Sequence, residues 1–378
     1  MMLPIRVLYL LWAGDLGGAE RHVYDLVMAL PPDRFAPTVC FLSRGNTYGE
    51  LLARAGVPFV EMRLRRGYDF LGVIRFAVWL RKNRFDVVHD HISTPWARVA
   101  VGLSMPRPAI VYTEHNGALL LTANAFRRFW TRWSAQYTDC FITVSQGTKA
   151  LLSKMGVESE RIEVIYNFVD SSRFRPLLIS RACEVRRSLG LPDQSRLLIA
   201  IGHLDANKGF DRLILVLRSL LTESANVHLL IIGEGVLRVK LESEIANLRL
   251  QDRVHLLGHR SDIPDLLGAA DVFVMSSHFE SFGIVAAEAM MAGKPVVAPR
   301  IPGLNEVVES GKTGFLVEPD RLETEFPEAV ARLLDNPELR IQMGQAGRQR
   351  ALALFERERI VRRIIDVYEK MLNEKVTV

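Results

Sequence analysis

Two glutamates, Glu280 and Glu288, bracket a short loop that turns into an apolar helix. The run Asp271-Val272-Phe273-Val274-Met275 ahead of them reads as a buried strand. The Ala-rich run from about Ile284 to Met291 reads as a helix that Gly293 stops. Such a turn leaves the amides of Ser281, Phe282, Gly283, Ile284 and Val285 without helical partners, with the positive end of the helix dipole behind them. That is an anion site made of backbone. Taken singly, Glu280 reads as a helix cap and Glu288 as a solvated side chain. Together they ask for more, because Glu288 sits among Ala286, Ala287, Ala289 and Met290 in a helix with almost no polar face. An ionised carboxylate there needs a partner, and a polyol with adjacent hydroxyls, such as ribose, would serve.

Other chemistry-bearing residues stand at strand ends. Leu197 to Gly202 is a strand pattern, followed by His203-Leu204-Asp205-Ala206-Asn207-Lys208-Gly209. Lys208 is either an exposed lysine at a helix start or the neighbour of a bound anion, which would offset the unfavourable charge against the helix dipole. Near the start, Ala13-Gly14-Asp15-Leu16-Gly17-Gly18-Ala19-Glu20 links a first strand, Val7 to Trp12, to a helix through Val23, Leu26, Val27 and Leu30. A glycine-rich turn there admits a ligand close to backbone. It is not Gly-x-Gly-x-x-Gly and carries no acidic ribose hook at the usual offset, which argues against a dehydrogenase. His89-Asp90-His91, Glu114-His115-Asn116 and Ser145-Gln146 also follow apolar runs. His89 and His91 could be half a zinc site, but no further Cys or His cluster completes it. No Asp-x-Asp is present, so we expect no metal and no bound cofactor.

The elements that must position these residues alternate. Strand-like runs at Thr38–Leu42, Asp86–His89, Ala109–Thr113, Cys140–Val144, Leu197–Gly202, Val227–Ile232, Val254–Leu257, Val272–Met275, Pro295–Ala298 and Gly314–Val317 are separated by helical periodicities. This is an α/β chain with parallel sheets covered on both faces. Its 378 residues suggest two domains, with a linker in Ser171 to Pro176. Cys40, Cys140 and Cys183 lie far apart and read as reduced thiols of a cytosolic protein. Arg6 interrupts the apolar start, so we read no signal peptide, and no apolar run approaches the roughly 20 residues that span a bilayer. Charge is uneven: up to Arg175 there are 22 Lys and Arg against 15 Asp and Glu, and beyond it 26 against 28. Arg63, Arg65, Arg66, Arg75, Arg81, Lys82 and Arg84 form one basic cluster, Arg127, Arg128 and Arg132 another. Clusters confined to one half suggest an anionic surface or substrate. They lack the interleaved aromatics of a nucleic-acid module, so no nucleic-acid partner is expected.

The stretch from Glu280 to Pro295 resembles the Glu-x7-Glu signature of retaining glycosyltransferases of family 4. Gly17-Gly18-Ala19-Glu20-Arg21 is similar to the first loop of that family, and Ile165-Tyr166-Asn167-Phe168-Val169-Asp170 to its interdomain segment, with Tyr166 and Phe168 replacing Pro and Gly. The resemblance implies the GT-B fold: two doubly wound Rossmann-like domains facing across a cleft. Residues 1–175 would bind the acceptor and 176–353 the nucleotide-sugar donor, and the helix of 354–378 would pack back on the first domain. It implies that Glu288 holds the ribose, Glu280 the donor sugar, and Phe282 and Gly283 the sugar and phosphate through their amides. Lys208 would replace a metal at the diphosphate, Gly17 and Gly18 would lie near the phosphates, and His115 near the donor sugar. His203 stands where the family commonly has arginine; it lacks the bidentate fork and is mostly neutral at pH 7, leaving Arg260 as the other cation for the phosphate. The expected activity is metal-independent, retaining transfer of a hexosyl group to a glycan or lipid-linked acceptor of cell-surface polysaccharide, lipopolysaccharide or glycolipid. The expected place is the cytoplasm, peripheral on the inner membrane face. A nucleotide-sugar epimerase and a catalytically silent nucleotide-sugar-binding regulator remain the alternatives.

Overall fold

A computed structural model describes residues 3–14, 17–64, 69–92, 95–102, 104–192, 194–223 and 226–376. Asp15 and Leu16 of the first glycine loop, and Arg65 and Arg66 of the first basic cluster, lie outside them. The chain forms two compact units, residues 1–168 with 357–378, and residues 169–356.

The first unit runs β1 (Ile5–Leu11), α1 (Gly18–Ala29), β2 (Phe35–Phe41), α2 (Asn46–Arg54), β3 (Phe59–Glu61), α3 (Phe70–Asn83), β4 (Val87–Asp90), α4 (Pro95–Gly102), β5 (Ala109–Glu114), α5 (Gly117–Leu121), α6 (Ala125–Ala135), β6 (Cys140–Thr143), α7 (Gln146–Lys154) and β7 (Ile162–Val164). The strands form one parallel sheet in the order β3-β2-β1-β4-β5-β6-β7. Apolar residues point both ways from it, as a sheet covered on both faces requires. Val7, Tyr9, Val39, Val87 and Val111 pack with α1 and α2. Leu8, Leu10, Val88 and Ile110 pack beneath Phe76 and Leu80 of α3 and Ala97 and Val101 of α4. Tyr112 and Phe141 continue that second face under Leu120 and Leu152. The edge strand β3 was not expected; its three residues follow a loop and show no clear alternation.

The second unit runs α8 (Ile179–Ser188), β8 (Arg196–Ile201), α9 (Phe210–Glu223), β9 (Val227–Ile232), α10 (Arg238–Asn247), β10 (Val254–Leu256), α11 (Ile263–Ala269), β11 (Val272–Val274), α12 (Ile284–Met291), β12 (Val296–Pro299), α13 (Leu304–Val307), β13 (Gly314–Val317), α14 (Leu322–Asp335) and α15 (Pro337–Phe355). Its sheet is parallel in the order β10-β9-β8-β11-β12-β13. Both sheets are therefore doubly wound, reversing direction between β1 and β4 in the first unit and between β8 and β11 in the second. Open α/β sheets bind ligands at the carboxyl ends of the strands on either side of that reversal.

A last helix, α16 (Arg357–Val376), belongs to the first unit. Ile360, Ile364, Ile365 and Tyr368 are buried there with Val23, Leu26 and Phe35. The units divide at 168 and 356, where the sequence reading placed the divisions at 175 and 353. Leu354, read with the last helix, belongs to α15. Glu356 is extended (φ −62, ψ 135) and separates the two helices. No Gly or Pro marks that break, so periodicity alone runs through it. Among the described residues no helix is long and apolar enough to cross a membrane.

The first unit buries a polar group between β1, β4, β5 and α16. The Tyr368 hydroxyl lies 3.1 Å from that of Tyr9 and 2.6 Å from His89 Nδ1, and His89 Nε2 lies 2.7 Å from Thr113 Oγ1. Three more histidines adjoin: His91, His115 and His22. Burial pushes all four imidazoles down, His22 and His89 to about 3, with neighbouring histidines adding to the effect. They are uncharged at neutral pH. Nearby Asp90 is fully buried and pushed up to about 7, chiefly by burial, with Arg98 3.4 Å away opposing the shift.

All five tryptophans, at 12, 79, 96, 130 and 133, belong to the first unit, so tryptophan fluorescence during urea unfolding reports on it alone. Tyr368→Phe strips buried partners from His89 and Tyr9 and should destabilise the unit by about 1–3 kcal/mol. The pH trend follows from the same group. The four histidines take up protons in the unfolded chain below about 6.5 but not in the fold until far lower pH. Each therefore removes stability as pH falls through that window, by about 1.4 kcal/mol per pH unit. Asp90, raised to about 7, and Glu114, also raised, act oppositely, but they are two against four. Urea midpoints should fall between pH 6.5 and 4.5; a rise would mean the histidines are charged in the fold.

Candidate functional site

At the carboxyl ends of β8 and β11 two loops are sewn together. Asp205 Oδ1 accepts from the amides of Asn207 and Lys208 at 2.9 and 3.2 Å, folding the first loop onto itself. Ser276 Oγ donates to the carbonyls of Lys208 and Gly209, the His278 amide donates to the Asn207 carbonyl, and Asn207 Nδ2 donates to the Phe279 carbonyl. The result places Lys208 Nζ 2.6 Å from Glu280 Oε1, with the two side chains 21% and 12% exposed. Two residues distant in sequence, each singled out for its chemistry, form one ion pair.

The pair stands beside the head of α12. Gly283 holds φ +92, and a Cβ there would approach Leu304 Cδ2 to 2.4 Å, so glycine alone fits. Gly303, at φ +86, lies under the Glu280 carbonyl, where a Cβ would approach to 2.4 Å. The first amide bonded back to the helix cap is that of Ala286, onto the Gly283 carbonyl. Ile284 and Val285, both part-exposed, thus head the helix. The Phe282 ring is buried edge-on against Phe355 at 5.2 Å, so Phe282 can offer a ligand only its backbone. Glu288 is part-exposed while Ala286, Ala287, Ala289 and Met290 around it are buried.

His203 is exposed in the loop after β8, two residues past Ile201. Arg260 is exposed after β10 and holds Asp262 through two bonds, at 2.8 and 2.6 Å. A phosphate would have to share that guanidinium with the carboxylate, as it would share the Lys208 ammonium with Glu280; Lys208 differs in being the more buried of the two cations.

In the first unit the corresponding place is the carboxyl ends of β1, β4 and β5. Gly17 is the extended cap residue of α1, and Gly18 has open space beside it. His115 Nε2 lies 2.8 Å from His91 Nδ1, and the His22 ring packs edge-on against His115 at 5.2 Å. His115 is therefore a neutral imidazole, fit to donate or accept one hydrogen bond and not to act as a cation. His91 is legible in the sequence as a strand-end residue and half of a zinc pair, whereas His22 carries no local signal: it sits in α1 and reaches His115 through the sheet order. Among the described residues no group of three or more His, Cys, Asp or Glu could hold a metal.

Residues 16–173 match Glycosyltransferase Family 4, and residues 183–350 match Glycosyl transferases group 1. The lipopolysaccharide core biosynthesis glycosyltransferase LpsE of Rhizobium meliloti is 30% identical over 363 residues, covering 96% of this chain and 97% of its own. The UDP-Gal:alpha-D-GlcNAc-diphosphoundecaprenol alpha-1,3-galactosyltransferase of Escherichia coli is 29% identical over 376 residues, covering 95% of each. Among solved structures, HepE of Anabaena, in complex with UDP and glucose, superposes with a TM-score of 0.85 at 24% identity, covering 97% of this chain and 100% of that one. Two Rossmann-like units with these relatives are the GT-B fold, and the chain belongs to the group 1, family 4 glycosyltransferases.

Proposed function

We propose that this glycosyltransferase moves a hexosyl group from a nucleoside-diphosphate sugar to a glycan or lipid-linked acceptor of cell-surface polysaccharide, lipopolysaccharide or glycolipid, with retention and without a metal. The observation that carries this reading is the Lys208–Glu280 pair beside the head of α12. Transfer builds negative charge on the departing diphosphate. A fixed ammonium and a helix terminus aimed at that charge stabilise it as it develops. Glu280 holds the ammonium in place and turns its remaining acceptor capacity to the donor sugar. The amides at Gly283, Ile284 and Val285 receive the phosphates, and Glu288 accepts from the ribose diol.

In the first unit, neutral His115 can give or take one hydrogen bond without adding charge. Retention follows from front-face attack, with the leaving phosphate oxygen taking the acceptor's proton as the new glycosidic bond forms and the old one breaks. The acceptor class is supported by the names of two relatives, one acting on a diphosphoundecaprenol-linked sugar and one in lipopolysaccharide core synthesis. Uridine is the first base to test, since HepE binds UDP.

Calorimetry with UDP and UDP-sugars tests the carboxylates separately. Glu288→Gln should weaken both ligands by about 1–3 kcal/mol, as for a charged hydrogen bond. Glu280→Gln should weaken the sugar-bearing donor more than bare UDP, and equal losses would remove the sugar contact. Lys208→Met should lower kcat by about 10²–10³ with an unchanged fold, the scale of losing one charge-stabilising group. Product should still form in excess EDTA; complete loss restored by Mg²⁺ would overturn the metal-free reading.

A further inference from the structure

We propose that α3 and α6 form a membrane-docking face that selects anionic lipid headgroups. Both helices cover the same side of the first unit's sheet, and each packs on α4. Their inward sides are unremarkable for a core: Phe76 and Leu80 on α3, Ser134 and Ala135 on α6. Their outward sides are not those of a solvated helix. Leu71, Ile74 and Val78 follow one another at helical spacing along exposed α3, with Leu71 73% exposed; Phe126 and Phe129 on α6 are 65% and 61% exposed, and Leu121 ends α5 beside them.

Charge on the two helices has one sign. α3 carries Arg75, Arg81 and Lys82, α6 carries Arg127, Arg128 and Arg132, and neither contains an Asp or Glu. Some surface arginines elsewhere find carboxylates, as Arg21 does with Asp25 and Arg238 with Glu242. The side chains of Arg75, Arg81, Lys82, Arg128 and Arg132 enter no hydrogen bond or ion pair among the described residues. Exposed Phe, Leu, Ile and Val interspersed with unpaired Arg and Lys suit the boundary between headgroups and acyl chains, and an anionic leaflet attracts such a face. A second copy would set like charge against like charge. A nucleic acid would leave the aliphatic stripe of α3 unmatched.

The helices of a parallel sheet start at the carboxyl ends of the strands they follow. Leu71 and Phe126, in the first turns of α3 and α6, therefore stand toward the sheet edge that carries His115, while Arg81, Lys82 and Arg132 stand further from it. Docking on this face brings that edge to the membrane surface, where a lipid-tethered acceptor would present its sugar. This last step rests on the transferase reading; the docking itself does not.

Cosedimentation with phosphatidylcholine vesicles, with and without phosphatidylglycerol, tests the face at low and high salt. The wild type should bind only the anionic vesicles, less at high salt, with a blue shift of the emission from Trp130 and Trp133 on α6. Phe126→Ser with Phe129→Ser should weaken binding about tenfold or more, Leu71→Gln with Val78→Gln likewise, and Arg128→Gln or Arg132→Gln roughly fivefold each. A wild-type urea midpoint certifies the fold of each variant. Equal binding to neutral vesicles, no binding at all, or binding indifferent to these substitutions overturns the proposal. So does a solution dimer that Phe126→Ser dissolves. Vesicle binding that responds to the substitutions in a protein that transfers no sugar supports the face and removes the transferase reading. Variants that lose vesicle binding and keep full transfer to a water-soluble acceptor support both.

Discussion

A lysine ammonium held 2.6 Å from a mostly buried carboxylate is the interaction on which the second unit's site depends. Neither member is comfortable alone. A half-buried ammonium at a positive helix end is repelled by the dipole, and a carboxylate with little water around it needs a cation or donors. Each resolves the other's cost, and the pair then presents both a positive charge and a spare acceptor. The surrounding polar contacts serve that placement. Ser276 ties down the backbone of Lys208, Asn207 ties down the loop that carries Glu280, and Gly303 leaves room for the Glu280 carbonyl. Loops would otherwise be the softest part of a doubly wound sheet; here they are fixed by side-chain and backbone hydrogen bonds between them.

The two units manage polarity in opposite ways. Around Lys208 the charges are kept and paired. Around His115 they are suppressed: four imidazoles within contact of one another stay neutral because burial and mutual repulsion disfavour every proton. A neutral histidine can orient a hydroxyl without attracting a diphosphate, whereas a lysine cannot avoid attracting one. That division fits a reaction in which one partner is an anion and the other an alcohol.

Much of this was legible in the chain. The strand before Glu280, the helix from Ile284 to Met291 and its stop at Gly293 all follow from local patterns of apolar run, small residues and breaker. The doubly wound units follow from strand–helix alternation, because parallel strands need crossovers. What local pattern could not supply is anything set by sheet order. His22 lies in the first helix and His115 after the fifth strand, and they meet only because β1, β4 and β5 are neighbours. The break at Glu356 was equally silent, since an extended residue between two good helix formers carries no composition of its own. β3 is a strand because β2 pairs with it, not because its three residues prefer to be one.

Charge asymmetry between the halves was visible as a count, but a count does not say where the excess resides. Several arginines of the first unit do ordinary structural work: Arg107 binds Asp139, Arg34 binds Glu369, and Arg98 lies buried over the Tyr112 ring beside Asp90. Among the remaining basic residues, Arg75, Arg81, Lys82, Arg127, Arg128 and Arg132 gather on α3 and α6, two helices that contain no Asp or Glu and expose apolar side chains. For a soluble helix that combination is doubly unfavourable, since like charges repel and apolar area stays hydrated. Both penalties vanish together against a single kind of surface, one that is anionic outside and apolar within. Six of the positive charges behind that count thus stand on two helices that both pack on α4 and have no carboxylate of their own.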